Sequence, residues 1–141
     1  MKRQNRNWLF FAREDLKAAK VLFGEKIYSY VCFHSQQCVE KSLKALIEKK
    51  LKKAPKIHHL LELAEICKKA GWDMDNFKSD FFYLDKFYTL TRYPFVPGVV
   101  NGKVPNGKDA AKAIEIARKI YRFCFSEVGE KSIGGVWRKK Q

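Results

Sequence analysis

The feature that most constrains the fold is a helical repeat of apolar residues that continues through almost the whole chain. Apolar side chains recur at steps of three and four positions, the spacing that places them on one face of an α-helix. No stretch shows the alternation typical of a strand. Because short links between long helices favour antiparallel packing, we predict an all-α fold, an up-and-down bundle of four to five helices. The predicted helices are residues 5–23, 27–50, 60–71, 74–92 and a fifth that begins near Asp109.

The fourth predicted helix is apolar on two faces. Phe77, Phe81, Leu84 and Tyr88 form one stripe, whereas Tyr83, Phe87 and Leu90 form another. One stripe can pack inside the bundle, and the other needs a further surface to cover it. A second copy of the chain is the simplest candidate, so we predict a homodimer through helix four.

The 141 residues form one domain of ordinary size. We assign residues 1–128 to this domain and residues 129–141 to a flexible basic tail. Pro94 is expected to end the fourth helix. Residues 94–107 are rich in proline, glycine and asparagine, which predicts a long loop of the kind that is often functional.

The net charge favours anionic partners. Lysine and arginine number 29 against 15 acidic residues, a formal charge of +14. The stretch from Lys41 to Lys56 contains seven lysines and one acid, Glu48. Such a run is either a solvated basic face or a surface that attracts a nucleotide or RNA.

Other counts exclude several classes of protein. The four cysteines and three histidines show no spacing typical of metal ligands, so we predict no metal site and no cofactor. The cysteines are expected to be small core residues in a reducing compartment. The sequence contains neither a signal-peptide core nor a membrane span, which predicts a cytoplasmic location.

Polar residues form a line along the second predicted helix. His34, Gln37, Lys41 and Lys44 are spaced i, i+3, i+7 and i+10, beside the apolar face. This line can border a cleft and hold a phosphate or an acidic side chain. It is equally compatible with a boundary stripe in which the lysines extend to solvent.

A second candidate position lies at the end of the fourth predicted helix. Asp85, Thr89 and Arg92 are spaced i, i+4 and i+7, and Tyr93 follows. An arginine held by a carboxylate at a helix terminus suits a phosphate ligand, although the helix dipole alone also favours arginine there. One histidine of the pair His58-His59 is expected to cap or contact the start of the third helix.

Several of these residues together resemble the HEPN (higher eukaryotes and prokaryotes nucleotide-binding) family. The resemblance covers roughly residues 8–127. Its elements are Ala12-x-x-Asp15-Leu16-x-x-Ala19, Phe33-His34-x-Gln36-Gln37-x-x-Glu40-Lys41-x-Leu43-Lys44-Ala45, His58-His59-Leu60-Leu61-x-Leu63 and Thr91-Arg92-Tyr93-Pro94.

The resemblance implies an all-α bundle that commonly dimerises and is often encoded beside a minimal nucleotidyltransferase in a toxin–antitoxin module. It also implies a metal-independent ribonuclease where an arginine is followed by a histidine after four to six residues. After Arg92 those positions are Pro97, Gly98 and Val99, and no histidine follows His59. The ribonuclease motif is therefore absent.

We therefore predict a noncatalytic protein that binds a nucleotide or a nucleotidyltransferase partner. No residue is assigned a catalytic role. The alternative is an endoribonuclease toxin in which Arg92 works with a histidine from elsewhere, such as His34. The predicted ligand-binding residues are His34, Gln37, Lys41, Lys44, Arg92 and Tyr93.

Overall fold

The computed structural model describes residues 2–88 and 103–129, with side chains from Asn7 onward. These residues form five α-helices and one short 3-10 turn, and they contain no strand element. The predicted all-α bundle is confirmed. The elements are α1 (Lys2–Gly24), α2 (Tyr28–Leu51), α3 (Leu60–Lys69), the 3-10 turn Asp75–Phe77, α4 (Lys78–Asp85) and α5 (Gly107–Val128).

Helices α1 and α2 form an antiparallel pair. The sequence repeats apolar residues on α1 at Leu9, Ala12, Leu16, Ala19 and Phe23; the first four are buried in the core, and Phe23 is partly buried against it. The link between the helices is only three residues long, and Lys26 within it adopts a left-handed backbone conformation with φ of 60°. Such a tight link reverses the chain, so α2 runs back along α1.

Helix α2 is the centre of the bundle and contacts α1, α3, α4 and α5. Fourteen of its 24 residues are buried, so it has little solvated face. The buried set includes polar and charged side chains, which need partners inside the protein. These residues are Ser35, Gln36, Glu40, Ser42, Lys44 and Glu48.

The prediction of one helix over residues 74–92 is wrong. Helix α4 ends at Asp85, and the backbone N–H groups of Phe87 and Tyr88 donate turn-type hydrogen bonds to the carbonyls of Leu84 and Asp85. Phe87 and Tyr88 are 4% and 6% exposed, so burial of their rings stabilises the turn in place of another helical turn. The predicted residues 89–92 lie outside the described part of the chain.

The described residues of both predicted stripes of helix four pack largely within the same chain, and Leu90 of the second stripe lies outside the described part. Phe81 and Leu84 are fully buried, as Phe87 nearly is, and the Tyr83 hydroxyl donates to the carbonyl of Asp109 at 3.1 Å. The large apolar side chain that α4 leaves exposed is Phe82, at 66%. The homodimer stays a prediction, now without the uncovered second stripe that suggested it.

Helix α5 begins with a capping box. The Asn106 side chain accepts from the backbone N–H of Asp109 at 2.9 Å, and the Asp109 carboxylate accepts from the backbone N–H of Asn106 at 3.0 Å. This places the helix start at Gly107, close to the predicted start near Asp109. Most of the predicted loop, residues 94–102, lies outside the described residues, as do residues 130–141 of the predicted tail.

All four cysteines are buried free thiols. Burial raises the pKa of Cys32 and of Cys67 to about 12, and it raises those of Cys38 and Cys124 as well. Thiols held protonated in an apolar core are poor nucleophiles, which agrees with a purely structural role. Among the described helices, none combines the length and apolar character needed to cross a membrane.

Candidate functional site: two carboxylate-centred clusters

Two acidic side chains organise the polar residues around α2. We call the first group the Asp15 cluster, which consists of Asp15, His34 and Lys41. We call the second the Glu40 cluster, which consists of Gln37, Glu40, Lys44 and His58. The four residues predicted along α2 are therefore divided between two carboxylates.

The Asp15 cluster joins α1 to α2. Asp15 follows Ala12 by three positions and precedes Ala19 by four, so it lies on the stripe of α1 that faces α2. Its carboxylate is close to two side chains of α2, with Oδ1 at 2.8 Å from His34 Nδ1 and Oδ2 at 2.7 Å from Lys41 Nζ. Each oxygen of the carboxylate thus holds one α2 side chain in place.

The Asp15 cluster remains partly open to solvent. The side chains of His34 and Lys41 are each 27% exposed, and that of Asp15 is 11% exposed. The contact with Asp15 occupies His34 Nδ1 and leaves Nε2 as the ring nitrogen for another partner. Lys41 also keeps N–H groups beyond the one that it donates to Asp15.

In the Glu40 cluster the carboxylate and the lysine are buried, whereas the His58 side chain is 46% exposed. Glu40 Oε2 lies 3.0 Å from Lys44 Nζ and 2.9 Å from His58 Nδ1, while Oε1 accepts from Gln37 Nε2 at 3.2 Å. The side chains of Glu40 and Lys44 are each 6% exposed. The Lys44 ammonium also lies 5.3 Å from the ring centroid of Trp8, a cation–π contact with α1. The two charges compensate each other within the protein.

The Glu40 cluster links α2 to the start of α3. His58 precedes α3, and Gln36 Nε2 donates to its carbonyl oxygen at 3.2 Å. The His58 ring stacks on Tyr88 with ring centroids 5.2 Å apart, directly after the turn that ends α4. The predicted contact of one histidine of the His58-His59 pair at this junction is confirmed, while His59 occupies the cap position without a side-chain cap.

Asp85 caps α3 from a distant part of the sequence. Its carboxylate accepts from the backbone N–H groups of Leu60 and Leu61 at 2.8 and 3.3 Å. Burial raises the pKa of Asp85, and these two backbone hydrogen bonds oppose the rise. Asp85 thus has a partner other than the predicted Arg92, because the helix end brings it to the first turn of α3.

Arg92 and Tyr93, the two remaining predicted site residues, lie outside the described part of the chain. The described residues bring together His34 with Lys41, and Gln37 with Lys44, but in separate clusters. The role of all six residues in binding a ligand stays a prediction. In the part of the chain described, no group of three His, Cys, Asp or Glu side chains is placed to hold a metal ion.

The sequence reasoning omitted Asp15, Glu40 and His58 from the site. One signal was present for Asp15, since a carboxylate on an otherwise buried stripe requires a buried or half-buried cation opposite it. Glu40 carried a similar signal, because it lies four positions before Lys44 on the same helix. For His58 no comparable signal exists, since its partner comes from a helix 18 residues earlier.

These observations define the class of protein. It is a small all-α bundle in which carboxylates of the first two helices hold histidine and lysine side chains. The family model described as the HEPN domain matches residues 6–131, and the chain belongs to this family.

Two solved structures and one curated protein are similar to the chain. An archaeal HEPN homologue, ST0689, superposes with a TM-score of 0.71 and 26% identity over 88% of this chain and 97% of its own. The protein TT1696 from Thermus thermophilus gives a TM-score of 0.67 and 29% identity over 91% of this chain and 99% of its own. A candidate toxin of Methanocaldococcus jannaschii, MJ1304, is 53% identical over 36 residues. That match spans 26% of this chain and only 24% of the length of the candidate toxin.

Proposed function

We propose that this chain is the binding component of a two-component module of toxin–antitoxin type. In this role it holds a nucleotide or a nucleotidyltransferase partner and catalyses no reaction of its own. Membership of the HEPN family and the segment similar to a candidate toxin support the module class. The lack of a histidine four to six residues after Arg92 supports a binding role.

The observation that carries the proposal is the partly open Asp15 cluster. Asp15 fixes His34 and Lys41 side by side, with 27% of each side chain exposed. A lysine held in place by a carboxylate loses little rotamer freedom when an anion binds, and its remaining N–H groups suit a phosphate group. Lys44 and Gln37 belong to the Glu40 cluster. In this proposal they do not contact the phosphate and instead help to fix α2 in position.

The phosphate is bound on the open side of the Asp15 cluster, with Lys41 donating to its oxygens. Arg92 and Tyr93 are proposed to complete this site. A planar guanidinium suits two phosphate oxygens at once, and a tyrosine ring suits a nucleotide base.

Calorimetric titration of the full chain with ATP and GTP tests this site. We expect Lys41→Met to weaken binding by about tenfold or more, the value of a hydrogen bond to a charged group. Lys17→Met is the matched control, because it removes the same charge from an exposed α1 lysine that pairs with Glu14 at 3.8 Å. Equal affinities of the two variants would contradict the site.

The partner protein requires a separate measurement. If a neighbouring reading frame encodes a nucleotidyltransferase, co-purification with that protein should yield a stable complex. If neither that protein nor ATP nor GTP binds, the proposed function fails as a whole.

One observation favours a second candidate function, a metal-independent endoribonuclease. His34 Nδ1 lies 2.8 Å from Asp15 Oδ1, an arrangement in which a carboxylate orients a histidine for proton transfer through Nε2. Cleavage of RNA in the presence of EDTA would support it, provided that His34→Asn abolishes the cleavage. Expression of the wild type and of Arg92→Ala in cells adds a toxicity readout, because a nuclease toxin loses toxicity with its phosphate-binding arginine.

A further inference from the structure

The acidic residues of this basic protein are concentrated in one region. Residues 60–86, which form α3, the 3-10 turn and α4, contain six acidic and four basic residues, a formal charge of −2. The complete chain carries +14, so all other residues together carry +16. A cationic segment is therefore attracted to the α3–α4 face and repelled by most of the remaining surface.

This face contains an open groove of about 700 Å³ between α3 and α4. Its lining contains two acidic residues and one basic residue, Glu65, Asp75 and Lys78, together with Leu61 and Phe82. Phe82 is 66% exposed, which is unusual for an aromatic side chain beside a groove. Among the described residues, Glu65 forms no ion pair, whereas Asp75 pairs with Lys68 at 3.0 Å.

The described part of α5 ends close to this groove. Trp72 Nε1 donates to Glu127 Oε1 at 2.9 Å, and Lys49 Nζ donates to the carbonyls of Glu127 and Val128 at 2.8 and 2.7 Å. These contacts fix the end of α5 beside Trp72. Asp75 of the groove follows Trp72 by three residues, a chain length of about 10 Å at most.

The residues after Gly129 include basic and apolar side chains that complement Glu65 and Phe82 of the groove. Residues 130–141 contain four basic residues and one acid, a formal charge of +3. They also contain Ile133, Val136 and Trp137, with Trp137 directly before Arg138. Twelve residues reach about 40 Å when extended, several times the distance along the chain from Trp72 to the groove.

We propose that residues 130–141 bind in the α3–α4 groove of the same chain. In this arrangement Trp137 packs on Phe82, and the adjacent basic side chains pair with Glu65 and the neighbouring acids. The proposal does not depend on the nucleotide site, because α1, which carries Asp15, is not among the elements that form the groove.

Paramagnetic relaxation in the full chain tests this arrangement. The four native cysteines are fully buried, so a cysteine introduced at Ser79, an exposed position in the groove lining, takes a spin label selectively. We expect the label to broaden the indole N–H resonance of Trp137 severely. The same label on Val21→Cys is the control, because Val21 is 67% exposed on α1, away from the groove. It should leave the Trp137 resonance sharp.

Equal broadening of Trp137 by the two labels, or no broadening by either, overturns the proposal. A mixture of isotope-labelled chain without a spin label and spin-labelled chain without isotopes separates binding within one chain from binding between copies. Broadening of Trp137 in that mixture to the same extent would show that the groove receives the segment of a second copy, which also contradicts the proposal.

Charge reversal supplies an independent measurement. Glu65→Lys should relieve the broadening by the Ser79 label, whereas Glu25→Lys on the α1–α2 link, an exposed position with the same change of charge, should not. Raising the salt concentration to 1 M, where the screening length falls to about 3 Å, should also relieve it. Broadening that is unchanged by both treatments would show that charge does not guide the segment to the groove.

Discussion

The Asp15 and Glu40 clusters contain the same chemical groups in different surroundings. Each has one carboxylate that contacts one lysine and one histidine. The lysine of the Asp15 cluster is 27% exposed, whereas that of the Glu40 cluster is 6% exposed. Solvent can stabilise Lys41 when its carboxylate is lost, whereas Lys44 has little access to water, although His58 of the same cluster is 46% exposed. This comparison supports the proposal that the Asp15 cluster binds a ligand, whereas the Glu40 cluster fixes α2 in the bundle.

Loss of the buried carboxylate should have the largest effect on stability. Glu40→Gln leaves the Lys44 ammonium buried without its counter-charge, and we expect the free energy of unfolding to fall by about 3–5 kcal/mol. Urea denaturation followed by circular dichroism measures the change. The double variant Glu40→Gln with Lys44→Met should recover most of the loss, since no unpaired charge remains. A loss below that of Asp15→Asn would contradict the assigned difference between the clusters.

The cap on α3 is expected to have the next largest effect. Asp85→Ala removes the acceptor of two backbone N–H groups, with an expected loss of about 1–2 kcal/mol. Because α3 begins directly after His58 and His59, the same change should loosen the contact between His58 and Glu40. Asp85→Asn is the control, as its side-chain oxygen still accepts from Leu60. If both variants lose the same stability, the carboxylate charge rather than the cap is responsible.

Loss of the partly exposed carboxylate should cost little stability. Asp15→Asn keeps the shape of the side chain and removes the ion pair with Lys41, so we expect a loss of about 1 kcal/mol or less by urea denaturation. Nucleotide affinity should change more than stability, because His34 and Lys41 are no longer held side by side. An unaltered affinity would place the ligand elsewhere.

Salt should produce the smallest difference between the clusters. Raising the ionic strength screens the exposed pair and scarcely affects the buried one. The stability difference between wild type and Asp15→Asn should therefore shrink at high salt, while the difference between wild type and Glu40→Gln should persist. Equal salt dependence in the two comparisons would show that water and ions reach the Glu40 cluster more easily than its burial indicates.

Much of the fold followed from the sequence. The apolar stripe of α1 and the bounds of α1, α2 and α3 were predicted to within a few residues, because amphipathic helices of this length show their period directly. The bounds of the fourth helix were not predicted correctly, since the residues as far as Pro94 are compatible with a helix. The turn after Asp85 buries Phe87 and Tyr88, and Tyr88 stacks on His58 from a distant part of the sequence, a contact with no local signal.

The candidate site, like the fold, was predicted only in part. The spacing of His34, Gln37, Lys41 and Lys44 on one helix was readable from the sequence, and so was their position beside an apolar face. The acids that pair with them were not assigned, although both belong to the predicted helices. Asp15 lies 19 residues before His34, and only the approach of α1 to α2 brings them to 2.8 Å.

The sequence by itself determined an all-α domain with an excess of positive charge, because helical period and composition are local properties of the chain. The tertiary structure decided which of those charges are neutralised. An ion pair between helices depends on the angle and distance at which they pack, and burial sets whether water can replace a missing partner. The same two chemical groups therefore form a partly exposed pair at Lys41 and Asp15 and a buried pair at Lys44 and Glu40.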